Sequence, residues 1–366
     1  MENNCSTNAG QSRTLLEALN NPIFTPIALF LVLIIIVAIC GNLVVIRTVC
    51  VTRKLHYPAF YFVVSLAVAD LCVGFLVVPL QLVYHVTGYM EGYVLGKWIL
   101  GEIACDFWTS VSIWFACASL INLCVVSWDR YVAVTSPLTY NLRMRDSKVK
   151  LLIGLVWMIS LFFGILYTLS YKYSATRVLC TTQGLSTNFT VLAFVLLFLL
   201  PTCFIIFVNY VVFKIARTHR RQIDNLEYSV SVSGVTPAPS TTSLRQKTFH
   251  GQSIAQKKSQ KTYKMLLVII IAYIVCWTPF FLLLLIQIFM AISESASYMG
   301  VLLTYLNSAI NPFIYGAFNR EFRTAVKKSH RRRNRIGILK ESFVPTSQAN
   351  MLKIPNSSPF VSSGSS

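Results

Sequence analysis

Ser127-Trp128-Asp129-Arg130-Tyr131 closes an apolar run that begins near residue 103. An arginine at the edge of hydrocarbon is costly unless a partner or a wet cavity receives it, so its presence there points to function. Asp-Arg-Tyr alone is a weak signal. Its meaning depends on the isolated polar residues embedded in six other apolar runs of the same chain.

Hydrophobic residues make up 55% of the chain and charged residues only 12%, against roughly 25% charged in an ordinary soluble domain. Runs of the ~20 residues needed to cross a bilayer lie at 23–49, 58–83, 103–128, 149–171, 189–213, 263–290 and 298–316. A membrane barrel would show short alternating segments instead, so the expected fold is an all-α seven-transmembrane helix bundle. The first 22 residues lack a basic region followed by an apolar core. No cleavable signal is expected, and the first span would serve as the signal anchor.

Lysine and arginine placement sets the orientation. With the amino terminus outside, 28 of the 32 basic residues are cytoplasmic, leaving Arg13, Lys97, Lys172 and Arg177 on the other side. The net charge of +19 is thereby a topology signal and an attraction to anionic inner-leaflet lipid; no nucleic-acid partner is expected. The expected location is the plasma membrane, multi-pass, with an extracellular amino terminus. Seven of the ten cysteines lie in or at the ends of spans, where cysteine packs as a small apolar residue. Cys105 and Cys180 both fall on the outer, oxidising side, and a bridge between them would tie the loop after the fourth span to the third. The sequons at Asn4 and Asn188 are on the glycosylation-competent side, whereas that at Asn356 is not.

Four regions surround or interrupt the membrane domain, which covers 23–317. Residues 1–22 form a short extracellular tail. Residues 218–261 form a Ser/Thr-rich third cytoplasmic loop that cannot bury a core. Residues 318–329 place Phe318, Phe322 and Val326 on one helical face with bases opposite, which suits a short amphipathic eighth helix on the inner leaflet. Residues 330–366 form a disordered tail.

Each span also carries a landmark: Gly41-Asn42, Leu66-Ala67-Val68-Ala69-Asp70, Asp129-Arg130-Tyr131, Trp157, Pro201, Cys276-Trp277-Thr278-Pro279 and Asn311-Pro312-Phe313-Ile314-Tyr315. In this order and on these sides, residues 23–328 resemble the rhodopsin-like G-protein-coupled receptors, with a pattern most similar to the biogenic-amine receptors. The resemblance implies several roles. Asp70, Ser119, Asn307 and Asn311, with Asn42, would hold an allosteric sodium ion; the alternative is an Asp kept neutral and hydrogen-bonded in the core. No other cofactor is implied. Arg130 would pair with Asp129 at rest and meet a heterotrimeric G protein when the sixth span swings, with Tyr131, Leu138, Asn311, Pro312 and Tyr315 in the same machinery. Arrestin and receptor kinases would be further partners. Pro201, Pro279 and Pro312 each remove a helix hydrogen bond and permit a kink, and Trp277 would sense ligand above it.

The chain departs from that family at several points. The third-span acid that pairs with an amine ligand in the family is Ser112 here, and the fifth span from Thr190 to Pro201 holds no serine. The expected ligand pocket is Trp108, Ser112, Ile113, Ala116, Trp277, Phe280, Phe281 and Tyr305: aromatic, apolar and uncharged, suited to an unknown small or lipid-like ligand. Asp106 and Glu102 sit at its rim. No lysine lies between Tyr298 and Gly316, which disfavours a retinal Schiff base. The start of the sixth span, Lys257-Lys258-Ser259-Gln260-Lys261, offers no acid to Arg130, and the inner tyrosine of the fifth span is Asn209, with Tyr210 next.

The expected function is a receptor that transmits ligand binding or basal activity to G proteins. A non-signalling receptor that works as a partner of another remains an alternative because of Asn209. A channel, transporter or intramembrane enzyme is a remote one, since the mid-membrane acids reduce to Asp70 and no catalytic pair is evident.

Overall fold

A computed structural model of the 366-residue chain describes residues 15–90, 98–170, 180, 186–232 and 267–328. Among the described residues, six helices are long and apolar enough to cross a bilayer: Phe24–Val51, Pro58–Met90, Gly101–Thr135, Asp146–Ser170, Thr187–Ile215 and Leu267–Ile286. A seventh, Glu294–Phe318, packs against the first two. These are spans one to seven. The segment before Leu267, with the expected start of span six, lies outside the described residues, as do Asn4 and the tail beyond residue 328.

The burial pattern is that of a bundle dissolved in lipid. Leu33, Ile36, Phe75, Met158, Phe162 and Phe207 are exposed, while Asn42, Asp70, Gln81, His85, Ser119 and Asn122 are buried. Hydrocarbon offers no hydrogen bonds, so polar side chains turn inward to find partners. Small residues then allow close backbone approach. A Cβ on Gly164 of span four would stand 2.9 Å from the Ser110 carbonyl oxygen of span three. One on Gly41 would stand 2.8 Å from Pro312 Cγ, so spans one and seven also meet where only glycine fits.

Two spans contain a widened turn: Val73–Val77 in span two and Phe194–Leu199 in span five are π-helical. Pro79 and Pro201 explain both. Each lacks the N–H for the carbonyl four residues earlier and its ring crowds that carbonyl. Those carbonyls belong to Phe75 and Leu197, inside the two π segments. The Pro201 distortion was expected as a kink; that at Pro79 was not anticipated.

Span five runs on as helix to Val232, past the expected end at 213 and into the segment expected to lack structure. Residues 214–232 contain neither Gly nor Pro, and the first such residue is Gly234. Residues 320–328 are helical. Asn319 caps them by accepting from the Phe322 N–H at 3.0 Å, with Phe322 and Ala325 buried and Arg323, Lys327 and Lys328 exposed. Cys105 and Cys180 are disulfide-bonded with their Cα atoms 5.9 Å apart, which closes one end of the bundle.

Candidate ligand cavity and cytoplasmic switch

At the disulfide end, a cavity of about 170 Å³ opens between spans two, three, six and seven. Its walls include Trp108, Ser112, Ile113, Ala116, Trp277, Phe280 and Tyr305. Phe281, expected with them, lies instead against a smaller neighbouring chamber of about 40 Å³ with Leu197 and Leu284. It stacks on Phe198 at 4.9 Å between ring centres, because its position on span six turns it toward span five. Asp106 is half-buried and Glu102 exposed, and neither lines the cavity.

The lining holds its own hydrogen bonds. Trp108 donates from Nε1 to the Val77 carbonyl at 3.1 Å, within the π turn of span two, and stacks face to face on Trp98 at 5.0 Å. Ser112 donates to the Trp108 carbonyl at 2.6 Å. Tyr305 donates to Gln81 Oε1 at 3.0 Å, joining spans seven and two. Gln81, Tyr84 and Tyr298 of the wall were not among the expected residues. An amide inside the run Val77-Val78-Pro79-Leu80-Gln81-Leu82 was the available signal, since a buried amide needs partners.

Beneath the cavity, Asp70 is fully buried. Ser119 donates to its Oδ1 at 3.0 Å and Asn311 to its Oδ2 at 2.7 Å. Asn307 is buried at the cavity floor. Asn42 does not bond to this carboxylate; it donates to the carbonyls of Ala38 and Ser308 at 2.9 and 3.1 Å. The carboxylate and the Ser119 hydroxyl oxygen are hard donors of the kind a cation site uses, while Asn311 turns its amide nitrogen to Asp70.

At the opposite end, Arg130 donates from Nε to Asp129 Oδ2 at 2.9 Å and forms an ion pair with it. Tyr140, in the short helix Tyr140–Arg143 after span three, donates to Asp129 Oδ1 at 2.7 Å. The sequence had not singled out Tyr140. Burial, with Asp129 adding its negative charge and hydrogen bond, pushes the Tyr140 phenol above its ordinary pKa, so it stays a donor. Tyr57, just ahead of span two, donates to Glu321 of the eighth helix at 3.0 Å; burial, then Glu321, raises its pKa too.

Tyr131 stacks on Trp128 at 5.3 Å, away from the ion pair. Leu138 is 97% exposed. Asn209 donates to Ser127 at 3.2 Å and to the Ile205 carbonyl at 2.8 Å, while Tyr210 beside it faces outward, 61% exposed. In the seventh span, Pro312 lies inside the helix and Tyr315 is buried. Asn188 is exposed in the first turn of span five.

Residues 41–315 match the model of the 7 transmembrane receptor (rhodopsin family). The octopamine receptor beta-1R of Drosophila melanogaster is 30% identical over 81% of this chain and 59% of its own length. The 5-hydroxytryptamine receptor 1B of Mus musculus is 31% identical over 81% of this chain and 85% of its own. The human 5-hydroxytryptamine receptor 1E is 30% identical over 89% and 97%. The chain thus spans less than two thirds of the insect relative and nearly all of the human one.

Proposed function

Because the chain belongs to the rhodopsin family of seven-transmembrane receptors, we propose that it is a plasma-membrane receptor that passes an extracellular signal, or its own basal activity, to a heterotrimeric G protein. The observation that carries this reading is the Arg130–Asp129 pair, seated at the opposite end of the bundle from the cavity. An arginine held, among the described residues, by its sequence neighbour and by what holds that neighbour can be released by a modest helix movement. Its guanidinium then offers five donors to a partner's backbone carbonyls. Leu138, eight residues further along the chain, supplies an exposed apolar anchor.

In this reading the amino terminus is extracellular, and arrestin and receptor kinases act on the Ser/Thr-rich third loop and tail. Asp70, Ser119, Asn307 and Asn311 hold a sodium ion that favours the resting bundle. The relatives are named for octopamine and 5-hydroxytryptamine. Here Ser112 replaces the acid that would neutralise an ammonium, and leaving a desolvated charge unpaired costs several kcal/mol. Simple amines are therefore not the ligands.

The test is basal and stimulated nucleotide exchange across a panel of G proteins in transfected cells, with Arg130→Ala as control. Coupling that Arg130→Ala abolishes supports the reading; output equal to mock-transfected cells with every G protein overturns it. That second result would favour a non-signalling partner receptor, a reading supported by Asn209, whose amide is committed to Ser127 and Ile205.

A further inference from the structure

Among the described residues, two polar groups in the cavity wall are buried with unmet hydrogen-bonding capacity. Trp277 Nε1 meets no acceptor there, and the Tyr298 hydroxyl has only the Gln81 amide close by, off good hydrogen-bond geometry. Both residues are more than nine-tenths buried, at 9% and 8% exposure, and both line the cavity. An unpaired buried donor carries its full desolvation penalty until something accepts from it. Indole N–H can only donate, and a phenol can donate or accept.

No side chain lining the cavity among the described residues is charged. Asp70 lies below the floor with both oxygens engaged by Ser119 and Asn311. An ammonium presents only donors and would meet the Trp277 donor with nothing to offer it. A carbonyl oxygen is the complementary group. The cavity meets the smaller apolar chamber at Ile113, Ala116 and Trp277, where an aromatic or alkyl body can be buried without leaving polar groups unpaired.

From this donor excess we infer that the cavity takes an uncharged aromatic or alkyl amide or ester, its carbonyl accepting from Trp277 and Tyr298 and its apolar body against Phe281 and Leu197. The inference rests on the proposed receptor reading for its biological meaning but not for its test, which reads binding and signalling separately.

The test uses the full chain purified in detergent and two matched pairs of probes: N-acetylserotonin with serotonin, and N-acetyltyramine with tyramine. Acylation removes the charge and adds the carbonyl while leaving the ring unchanged. The expected result is that each N-acetyl probe raises Tm by a few degrees at a concentration where its parent amine raises it by none, since a ligand stabilises only the state it binds. Trp277→Phe keeps an aromatic ring but loses the donor, and should weaken the N-acetyl probes about tenfold, as loss of one buried hydrogen bond implies. Ser112→Asp should reverse the order within each pair.

Parent amines that stabilise the unmodified chain as well as their N-acetyl partners overturn the inference, and so does the absence of any shift with either class. If the N-acetyl probes bind while no G protein responds, the ligand class stands and the receptor reading falls. If basal coupling is present and lost in Arg130→Ala while no N-acetyl probe binds, the receptor reading stands and the ligand class falls.

Discussion

Asn42 of span one donates its side-chain amide to the backbone carbonyl of Ser308 in span seven at 3.1 Å. Ser308 lies four residues before Pro312, so its carbonyl is the one that the missing proline N–H leaves without a helix partner. One residue along span one, Gly41 makes room for the proline ring itself. Two residues adjacent in sequence therefore accommodate both consequences of one proline: the freed acceptor and the bulk of the ring.

This relationship predicts non-additive mutations. Asn42→Ala should destabilise the chain by about 1–3 kcal/mol, because it orphans a buried carbonyl. In a Pro312→Ala background, where residue 312 regains an N–H for Ser308, the same substitution should cost markedly less. Thermal unfolding of the four proteins in detergent gives the coupling; equal losses in both backgrounds would count against it.

Helix contact is equally specific at Gly164. Even Gly164→Ala puts a methyl 2.9 Å from the Ser110 carbonyl oxygen, and overpacking of this kind costs about 1–3 kcal/mol. Gly154, ten residues earlier on span four, has nothing within 4 Å of such a Cβ. Gly154→Ala should leave Tm unchanged or slightly raised, and a comparable fall in both variants would contradict the packing described.

Tyr140 is the further restraint on the Asp129–Arg130 pair. Tyr140→Phe removes a hydrogen bond to a charged oxygen, an interaction of about 1.5–3 kcal/mol, and should raise basal G-protein activation roughly tenfold or more if that energy biases the resting state. The raised phenol pKa means that the intact contact should not vary with pH near neutrality. Basal output that Tyr140→Phe leaves unchanged would assign Tyr140 to packing alone.

The Asp70 site should report sodium. Thermal stability of the purified chain is expected to be higher in sodium chloride than in choline chloride at equal ionic strength, through selective binding to the folded state. Asp70→Asn should abolish the difference. A sodium effect of equal size in the variant would mean that the cation binds elsewhere.

Much of this architecture was legible from the chain. Span number and membrane class follow from the number and length of the apolar runs. The bonds from Ser119 and Asn311 to Asp70 followed from the same reasoning, since a carboxylate in hydrocarbon must find partners and few were present. Gln81, Tyr140 and Tyr298 were not legible, because nothing in a one-dimensional pattern distinguishes a tyrosine that faces a cavity from one that faces lipid.

Composition and periodicity decided that the chain is a lipid-embedded seven-helix bundle, because a backbone in hydrocarbon must satisfy its own hydrogen bonds and helix is the form these runs allow. Which side chains meet was decided only in three dimensions. Each helix's rotation and rise are set by packing against its neighbours and by local widening at Pro79 and Pro201. In the packed bundle Phe281 lies in the side chamber, Asn42 bonds Ser308 and not Asp70, and Trp277 lines the cavity with its donor unpaired among the described residues.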